Sequence, residues 1–355
     1  MTAGLAGAAL PAAAGPFILV DMGTGRVLAA EDALQAWHPA SLTKLMSAYV
    51  TFRAIRAGEF TLKSPVLVTR SAAKKPPAKM GYKPGSVMTL DNALKMMIVK
   101  SANDIAVAVA ENIAGSEPAF VARMNDEARR LGMAATHFVN PNGLHDPANV
   151  TTARDLALLV TAIRTEFPEH APYFRIEAIS DGKKMLKTYN QLIGRFDGAD
   201  GMKTGFVCSS GFNLAGTATR DGRTLIAVVL GAASGNERTE KAAELLARGF
   251  AQPARDGTAL AALAGPSGIA PDRRDIVCPK PVKQQGEKKP EASEAAEPEK
   301  LNSPFLHEPA SPPKVILVGL GGAEGTPIIA LEPAKAVPIP TPRPVDGPGG
   351  ATQAG

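Results

Sequence analysis

The chain opens with two short apolar runs that predict a β-hairpin. Residues 17–20 and 26–30 are rich in apolar side chains, and a Gly-Thr-Gly turn at residues 23–25 separates them. Runs of this length that are bounded by glycine are typical of paired strands. The N-terminal part of the chain is therefore expected to contribute two neighbouring antiparallel strands.

A second group of strands is predicted near residue 200. Residues 212–219 and 224–230 flank an Arg-Asp-Gly-Arg turn, and Asp-Gly between two β-type runs is a strong hairpin signal. Residues 200–207 precede this hairpin and are predicted as a third strand. An amphipathic run at residues 239–250 then predicts a closing helix.

Helical patterns fill the middle of the chain. Apolar-rich runs at residues 42–50, 91–100 and 105–113 predict three helices. Thr152 and Asp155 have a capping-type spacing ahead of a further apolar run, which predicts the start of another helix. Strands at both ends with helices between them favour the α+β class, an antiparallel sheet flanked by helices with a helical subdomain.

Composition divides the chain into three parts. Residues 1–14 are small and apolar, which is typical of the end of a secretory signal segment, here truncated because no basic residue precedes Arg26. Residues 15–252 form the predicted folded domain. Residues 253–355 hold most of the 30 prolines, which predicts a largely disordered low-complexity tail whose only strand-like piece is residues 313–319. The formal net charge of +5 is modest and gives no reason to expect nucleic-acid binding.

A serine and a lysine stand three residues apart at the predicted start of the first helix. Free backbone N–H groups at a helix start favour developing negative charge beside Ser41. Positions i and i+3 share a helix face, so the Lys44 amine can lie against the hydroxyl. A serine becomes nucleophilic when a base takes its proton, and a lysine can be that base when burial or nearby cations lower its pKa. Alone, the pair also fits a helix cap beside a solvated lysine.

Two further motifs follow in order. Ser101 and Asn103 can face one site from the turn between two predicted helices, where a hydroxyl can pass a proton and an amide can hold a carbonyl. Lys203, Thr204 and Gly205 lie on the predicted third strand, where a glycine lets another backbone approach, such as that of a peptide substrate. Taken singly, these motifs also fit a capping turn and an edge-strand lysine. Together with the first pair, they predict an active-site serine hydrolase or acyltransferase.

In this order and spacing the motifs resemble those of the penicillin-recognising serine D-alanyl-D-alanine carboxypeptidases, the low-molecular-mass penicillin-binding proteins of the β-lactamase/transpeptidase-like superfamily. The resemblance implies that family's α+β fold, with the active site between the sheet and the helical subdomain. Further similarity lies in the segments His38-Pro39-Ala40, Asn140-Pro141-Asn142-Gly143-Leu144, Thr151-Thr152-Ala153-Arg154-Asp155-Leu156 and Asp200-Gly201-Met202.

The resemblance implies a catalytic role for each motif. Ser41 would form an acyl-enzyme with the penultimate D-alanine of a peptidoglycan stem peptide and release the terminal D-alanine, and water would then hydrolyse the ester. Lys44 would be the base for acylation. Ser101 and Lys203 would relay protons and help to hold the amine in its reactive state. No cofactor or metal is implied, and β-lactam antibiotics would be covalent inhibitors.

Substrate-binding roles are implied in the same way. Asn103 would bind a substrate amide carbonyl, and the backbone N–H groups of Ser41 and Phe206 would form the oxyanion hole. Thr204 and Arg238 would hold the free substrate carboxylate, to which a planar guanidinium can bind bidentately. Arg238 also fits a plain residue of the first turn of the closing helix.

Other functions share some of these features. A class A β-lactamase should carry a Glu-x-x-x-Asn pattern between the second and third motifs, and none is present. A zinc D,D-carboxypeptidase would use His and Asp ligands, but the spacing of His137 and His145 is not familiar from zinc sites. A peptidoglycan-binding or sensing protein could keep the fold with little turnover. D,D-endopeptidase action on cross-links needs the same groups and is the closest alternative.

Two cysteines bear on location. Cys208 follows the strand motif and Cys278 lies in the tail, so in an oxidising compartment they can pair and tether the start of the tail beside the active site. The signal-like segment and the resemblance predict a periplasmic or secreted protein of the bacterial cell envelope.

Many relatives carry a β-rich second domain and an amphipathic C-terminal helix. The tail shows neither, so no clear membrane anchor is expected.

Overall fold

The structure is a computed structural model, and it does not describe every part of the chain. The predicted signal segment at residues 1–14 lies outside the described residues, as do four stretches of the predicted tail, 254–256, 266–267, 280–300 and 331–355. The described residues are 15–253, 257–265, 268–279 and 301–330.

The elements follow the order that the sequence predicts, with strands at both ends and helices between them. The strands of the described residues are β1 (Phe17–Asp21), β2 (Arg26–Glu31), β3 (Pro65–Leu67), β4 (Val87–Thr89), β5 (Ala178–Ser180), β6 (Met185–Lys187), β7 (Ala199–Val207), β8 (Gly211–Arg220), β9 (Arg223–Ala232) and β10 (Val315–Leu317). The helices are α1 (Thr43–Arg56), α2 (Arg70–Ala73), α3 (Leu90–Val99), α4 (Asn103–Ala114), α5 (Glu117–Arg130), α6 (Ala153–Glu166), α7 (Gly235–Phe250) and α8 (Arg274–Val277), with 3-10 turns at Ala40–Leu42, Pro168–Arg175 and Leu260–Ala262.

Five of the strands form one antiparallel sheet in the order β2-β1-β9-β8-β7. The N-terminal hairpin therefore joins the later three strands through the β1–β9 pair. Alternate residues of a strand point to opposite faces, and β1 divides accordingly. Ile18 and Val20 pack into the core formed with the helical middle of the chain, while Phe17 and Leu19 pack on the side of α7. The two adjacent strands β1 and β9 are accordingly nearly continuous apolar runs.

The helical subdomain carries the second motif. α3 and α4 pack together, and residues 100–102 join them. Ser101 lies in this connection, and Asn103 is the first residue of α4. In the described part of the chain no single helix is long and apolar enough to cross a membrane, whereas the pair α4 and α5, bent by 85°, meets the length and composition of a broken span. The predicted α+β fold, an antiparallel sheet flanked by helices with a helical subdomain, is confirmed.

Side-chain caps mark the starts of α6 and α7. Thr152 accepts a hydrogen bond from the Asp155 N–H at the start of α6, as the sequence predicts. The closing helix begins at Gly235, four residues earlier than its apolar pattern suggests, because Ser234 accepts from the Glu237 N–H. Arg238 therefore lies in the first turn of α7.

The described parts of the tail lie on the surface of the domain. β10 coincides with the predicted strand-like piece and pairs in parallel with β5, which pairs with β6. The Val318 N–H donates to the Ser180 carbonyl at 2.9 Å, and the Gly321 N–H donates to the Val87 carbonyl at 2.8 Å. The sequence predicted a largely disordered tail because few of its side chains can build a core. These contacts use backbone groups instead, so composition did not reveal them.

The docking of the tail strand can be tested with two neighbouring substitutions. Val318 is 6% exposed and Leu317 is 74% exposed, so Val318→Asp buries a charge where Leu317→Asp does not. We expect the buried carboxylate to undock the strand, because an unpaired buried charge costs more than a short strand pair contributes. Hydrogen exchange of amides 315–318 should become at least about tenfold faster in the first variant alone. Equal protection in both variants would contradict this docking.

Candidate active site

Three of the predicted site residues meet at one amine. Lys44 lies in the first turn of α1 and is 1% exposed. Its Nζ donates to Ser41 Oγ at 3.0 Å, to Asn103 Oδ1 at 2.8 Å and to the Asn142 backbone carbonyl at 2.5 Å. The first two sequence motifs are therefore in direct contact, together with a loop to which the sequence had given no role.

This arrangement can activate the serine. A neutral amine has two N–H groups and one lone pair, and the oxygens of Asn103 and Asn142 match the two N–H groups. The lone pair is then left for the hydroxyl proton of Ser41. After proton transfer the same two oxygens would accept hydrogen bonds from the ammonium. The site can therefore stabilise both the neutral and the protonated form of Lys44.

A buried asparagine holds the turn that carries Ser41. The turn Ala40–Leu42 immediately precedes α1. Asn213 on β8 is fully buried, and its Nδ2 donates to the carbonyls of His38 at 3.0 Å and Pro39 at 3.2 Å. Its Oδ1 accepts from the Gly231 N–H at 2.9 Å. The side chain thus ties the nucleophile's turn to two strands of the sheet.

Gly205 has a structural role that the sequence did not predict. The sequence suggested that this glycine leaves room for a substrate backbone. In the structure, the backbone that approaches it is the turn containing Ser41: a Cβ at position 205 would lie 2.9 Å from both the Pro39 carbonyl oxygen and the Ser41 nitrogen. The missing side chain therefore lets β7 pack against the nucleophile's turn.

The loop that contains Asn142 closes on the same turn from the other side. Gly143 has a φ of 78°, and a Cβ there would overlap the Ala40 carbonyl. The loop is fixed by Ser47 Oγ, which donates to the Pro141 carbonyl at 2.6 Å. Close packing of these backbones brings the Asn142 carbonyl within reach of Lys44.

The third motif lies on β7 beside the turn. Lys203 is 3% exposed, and its Nζ donates to the Thr204 carbonyl at 3.0 Å. Thr204 Oγ1 and Ser101 Oγ are both buried, and neither has a hydrogen-bond partner among the residues that the structure describes. Buried hydroxyl groups are nearly always satisfied. These two are therefore suited to contact a bound ligand.

The side chains expected to bind substrate also have structural partners. Asn103 donates through Nδ2 to the Pro76 carbonyl at 3.1 Å, which leaves its second side-chain N–H for other contacts. Arg238 is 2% exposed and donates to the carbonyls of Asn213 at 3.3 Å and Tyr189 at 3.2 Å. A guanidinium has five N–H groups, so these contacts orient the side chain without using all of them.

The two cysteines are joined beside the strand motif. The structure contains a disulfide between Cys208, which directly follows β7, and Cys278, which directly follows α8. Val277 and Cys278 pack against the aromatic pair Phe206 and Phe212. The start of the tail is thereby attached next to the site.

The loop histidines have local partners. His145 Nδ1 is 2.8 Å from Ser209 Oγ, and its ring meets His38 edge to face at 5.1 Å. Burial lowers the pKa of His145 below its usual range, and the nearby His38 adds to the effect. His137 pairs through its backbone with Val150. Among the residues described, no group of three or more His, Cys, Asp or Glu side chains could hold a metal ion.

Sequence reasoning missed two contributors to the site. Asn142 acts through its backbone carbonyl, which no side-chain motif can reveal. Asn213 could have been noticed, because an amide within an otherwise apolar strand needs buried partners. Its partners lie on a distant turn, so the sequence did not indicate which groups it would bind.

Comparison with known proteins identifies similar chains. A family model described as D-alanyl-D-alanine carboxypeptidase matches residues 5–234. The D-alanyl-D-alanine carboxypeptidase DacC of Escherichia coli (strain K12) is 36% identical over 241 residues, which are 66% of this chain and 60% of that protein. DacD of Salmonella typhimurium is 38% identical over 240 residues, 66% of this chain and 62% of that protein. The match thus spans less than two thirds of these curated relatives.

Solved structures agree with these matches. The D-alanyl-D-alanine carboxypeptidase DacD from Francisella tularensis superposes with a TM-score of 0.65 at 29% identity, over 69% of this chain and 72% of that one. Penicillin-binding protein D2 from Listeria monocytogenes, in its ampicillin-bound form, gives a TM-score of 0.62 at 28% identity, over 68% of this chain and 99% of that one. Both superpositions cover about two thirds of this chain.

The close packing at Gly143 can be tested against a glycine with the same backbone conformation. Gly132 has a φ of 71° and no atom within 4 Å of where a Cβ would lie, whereas a Cβ at Gly143 overlaps the Ala40 carbonyl. Gly132→Ala should cost about 1–2 kcal/mol of unfolding free energy from backbone strain alone. Gly143→Ala should cost about 1–3 kcal/mol more, because the turn must move. If denaturant unfolding shows the same loss of unfolding free energy in both variants, the close approach of Gly143 to the Ala40 carbonyl is contradicted.

Proposed function

The chain belongs to the D-alanyl-D-alanine carboxypeptidase family, and we propose that it is a serine carboxypeptidase that removes the terminal D-alanine from peptidoglycan stem peptides. One observation carries the proposal. The buried amine of Lys44 lies 3.0 Å from Ser41 Oγ and also donates to the carbonyl oxygens of Asn103 and Asn142. Desolvation favours the uncharged form of an amine, which is the form that can act as a base.

Acylation then proceeds by addition to the substrate carbonyl followed by elimination of the terminal D-alanine. Ser41 Oγ attacks the carbonyl carbon of the penultimate D-alanine while Lys44 takes the hydroxyl proton. The C–N bond to the terminal D-alanine breaks, and the leaving amine receives that proton directly or through the Ser101 hydroxyl. Water hydrolyses the resulting ester and restores the serine.

The remaining site residues stabilise charge and orient the substrate. The backbone N–H groups of Ser41 and Phe206 are proposed to bind the developing oxyanion, and the close packing at Gly205 supports this role because it brings the Ser41 amide beside β7. Thr204 and Arg238 are proposed to hold the substrate carboxylate. The unpartnered hydroxyl of Thr204 supports that assignment.

Asn103 and Lys203 complete the proposed constellation. Asn103 would bind a substrate amide carbonyl through its second side-chain N–H, while its Oδ1 stays on Lys44. Lys203 would place a positive charge near the substrate carboxylate and assist proton transfer. β-Lactam antibiotics would acylate Ser41 in place of the peptide, a proposal that the ampicillin-bound form of the Listeria protein supports.

Action on peptidoglycan takes place outside the cytoplasm. The proposed location is the periplasm or the external face of the cell envelope, where disulfides persist. The bond between Cys208 and Cys278 is consistent with this environment.

The acyl-enzyme can be detected directly. Intact-mass measurement after incubation with benzylpenicillin should show one adduct per chain on the full-length protein and none on Ser41→Ala. Ser71→Ala, at an exposed serine of α2, should be labelled normally. Release of D-alanine from a D-Ala-D-Ala peptide should fall by at least about 10³-fold in Ser41→Ala, because no other group can form the ester.

The same assay separates the alternatives. A matched peptide that ends in a carboxamide should lose at least about tenfold in kcat/KM if the carboxylate is bound. An adduct without D-alanine release would indicate a binding protein, and preferential cleavage of cross-linked dimers would indicate an endopeptidase. A wild-type protein without an adduct, or activity abolished by a chelator, would contradict the serine mechanism.

The proposed oxidising location has its own test. Thiol titration of the unreduced, denatured protein isolated from the cell envelope should find no free thiol, and reduction should release two. Two free thiols before reduction would contradict the tether between β7 and the tail.

A further inference from the structure

The position of Ser101 depends on its neighbours. It lies between α3 and α4 with a φ of 59°, in the left-handed region that costs a non-glycine residue about 1–2 kcal/mol. Its Oγ has no hydrogen-bond partner among the residues described. Since the side chain does not fix itself, the backbone on either side must hold the hydroxyl in place.

The residue before Ser101 is hydrogen-bonded across the cleft between the helical subdomain and the sheet. Lys100 Nζ donates to the Tyr189 hydroxyl at 2.8 Å and lies 5.3 Å from the centre of the same ring. Both side chains are half-buried. A hydrogen bond with a charged donor is stronger than one between neutral groups, and the ring face adds a favourable cation–π contact.

Tyr189 belongs to the wall opposite the helical subdomain. Its backbone carbonyl accepts from Arg238 Nη2 at 3.2 Å, and Arg238 also donates to the carbonyl of Asn213 on β8. The next residue, Asn190, donates through Nδ2 to the Gly201 carbonyl on β7 at 2.9 Å. Tyr189 is therefore fixed to the sheet on which the third motif lies.

We propose that Lys100 and Tyr189 form a clasp that positions Ser101 for acylation, an inference that rests on the proposed function of the site. The clasp joins the helical wall, which carries Ser101, to the sheet wall, which carries Lys203. The side-chain hydrogen bond of the clasp runs from Lys100 to Tyr189, and the Tyr189 carbonyl accepts from Arg238. Lys100 and Tyr189 are positioning residues that act through the backbone next to Ser101.

A double-mutant cycle in the full-length protein tests the clasp. Tyr189→Phe removes only the hydroxyl, Lys100→Met removes the charge while keeping most of the stem, and Lys100→Arg keeps a charged donor. Tyr82→Phe and Lys95→Met are the matched controls. Lys95 lies on α3 and pairs with Asp91, while Tyr82 is a half-buried tyrosine in the loop that precedes β4. The measurements are the second-order rate of acylation by benzylpenicillin and the midpoint of thermal unfolding.

Tyr189→Phe and Lys100→Met should each slow acylation by about tenfold, the effect of losing one hydrogen bond to a charged group. The double variant should be no slower than the slower single variant, because both remove the same interaction. Lys100→Arg should retain most of the rate, and both controls should match the wild type. A purely structural contact would lower the unfolding midpoint and leave acylation unchanged.

The outcomes distinguish the clasp from the function on which it rests. Normal acylation in the single variants, or losses that multiply in the double variant, would contradict the clasp alone. If Tyr189→Phe unfolds, the two variants of Lys100 still test the clasp. Lys100→Met should slow acylation and Lys100→Arg should not. A wild-type protein that is never acylated would contradict the proposed function, and with it the role of the clasp.

Discussion

A lysine amine that is almost completely removed from water must have partners for its hydrogen-bonding groups, and the rest of the site depends on this constraint. Three segments supply hydrogen-bond partners for Lys44: the turn of Ser41, the first residue of α4 and the loop of Asn142. None of these segments is adjacent to another in the sequence. The base is therefore in place only when the helical subdomain, α1 and that loop pack together. The site is formed by the tertiary packing of the domain.

Close approach of backbones makes this packing possible. The turn that carries the nucleophile lies between β7 and the loop of Asn142, and glycine at positions 205 and 143 leaves the space that any side chain would fill. Asn213 satisfies two carbonyls of the segment leading into that turn from within the sheet. A polar side chain in a buried strand would be costly if unpaired, so its position there is explained by the turn that it holds.

The walls of the cleft are joined by contacts outside the three motifs. Lys100 and Tyr189 connect the helical wall to the sheet wall. Further out, β10 adds a parallel strand to the β5–β6 hairpin, and the disulfide attaches the start of the tail beside β7. The family match ends at residue 234. The tail residues that make these contacts, Val315–Leu317 and Cys278, lie beyond that match.

The sequence by itself determined the fold class, the order of the elements and the candidate nucleophile, base and strand lysine, because these follow from local periodicity, turn residues and short-range spacing. Ser41 and Lys44 stand three residues apart, so a helical turn over them places both side chains on one face. The role of Gly205, the partners of Asn213, the contact of Lys44 with the Asn142 carbonyl and the docking of β10 were decided only by the tertiary structure. Each of these contacts depends on backbone groups or on segments far apart in the chain. Because nearly every residue carries the same backbone donor and acceptor, a pattern of side chains does not indicate which backbone groups will meet.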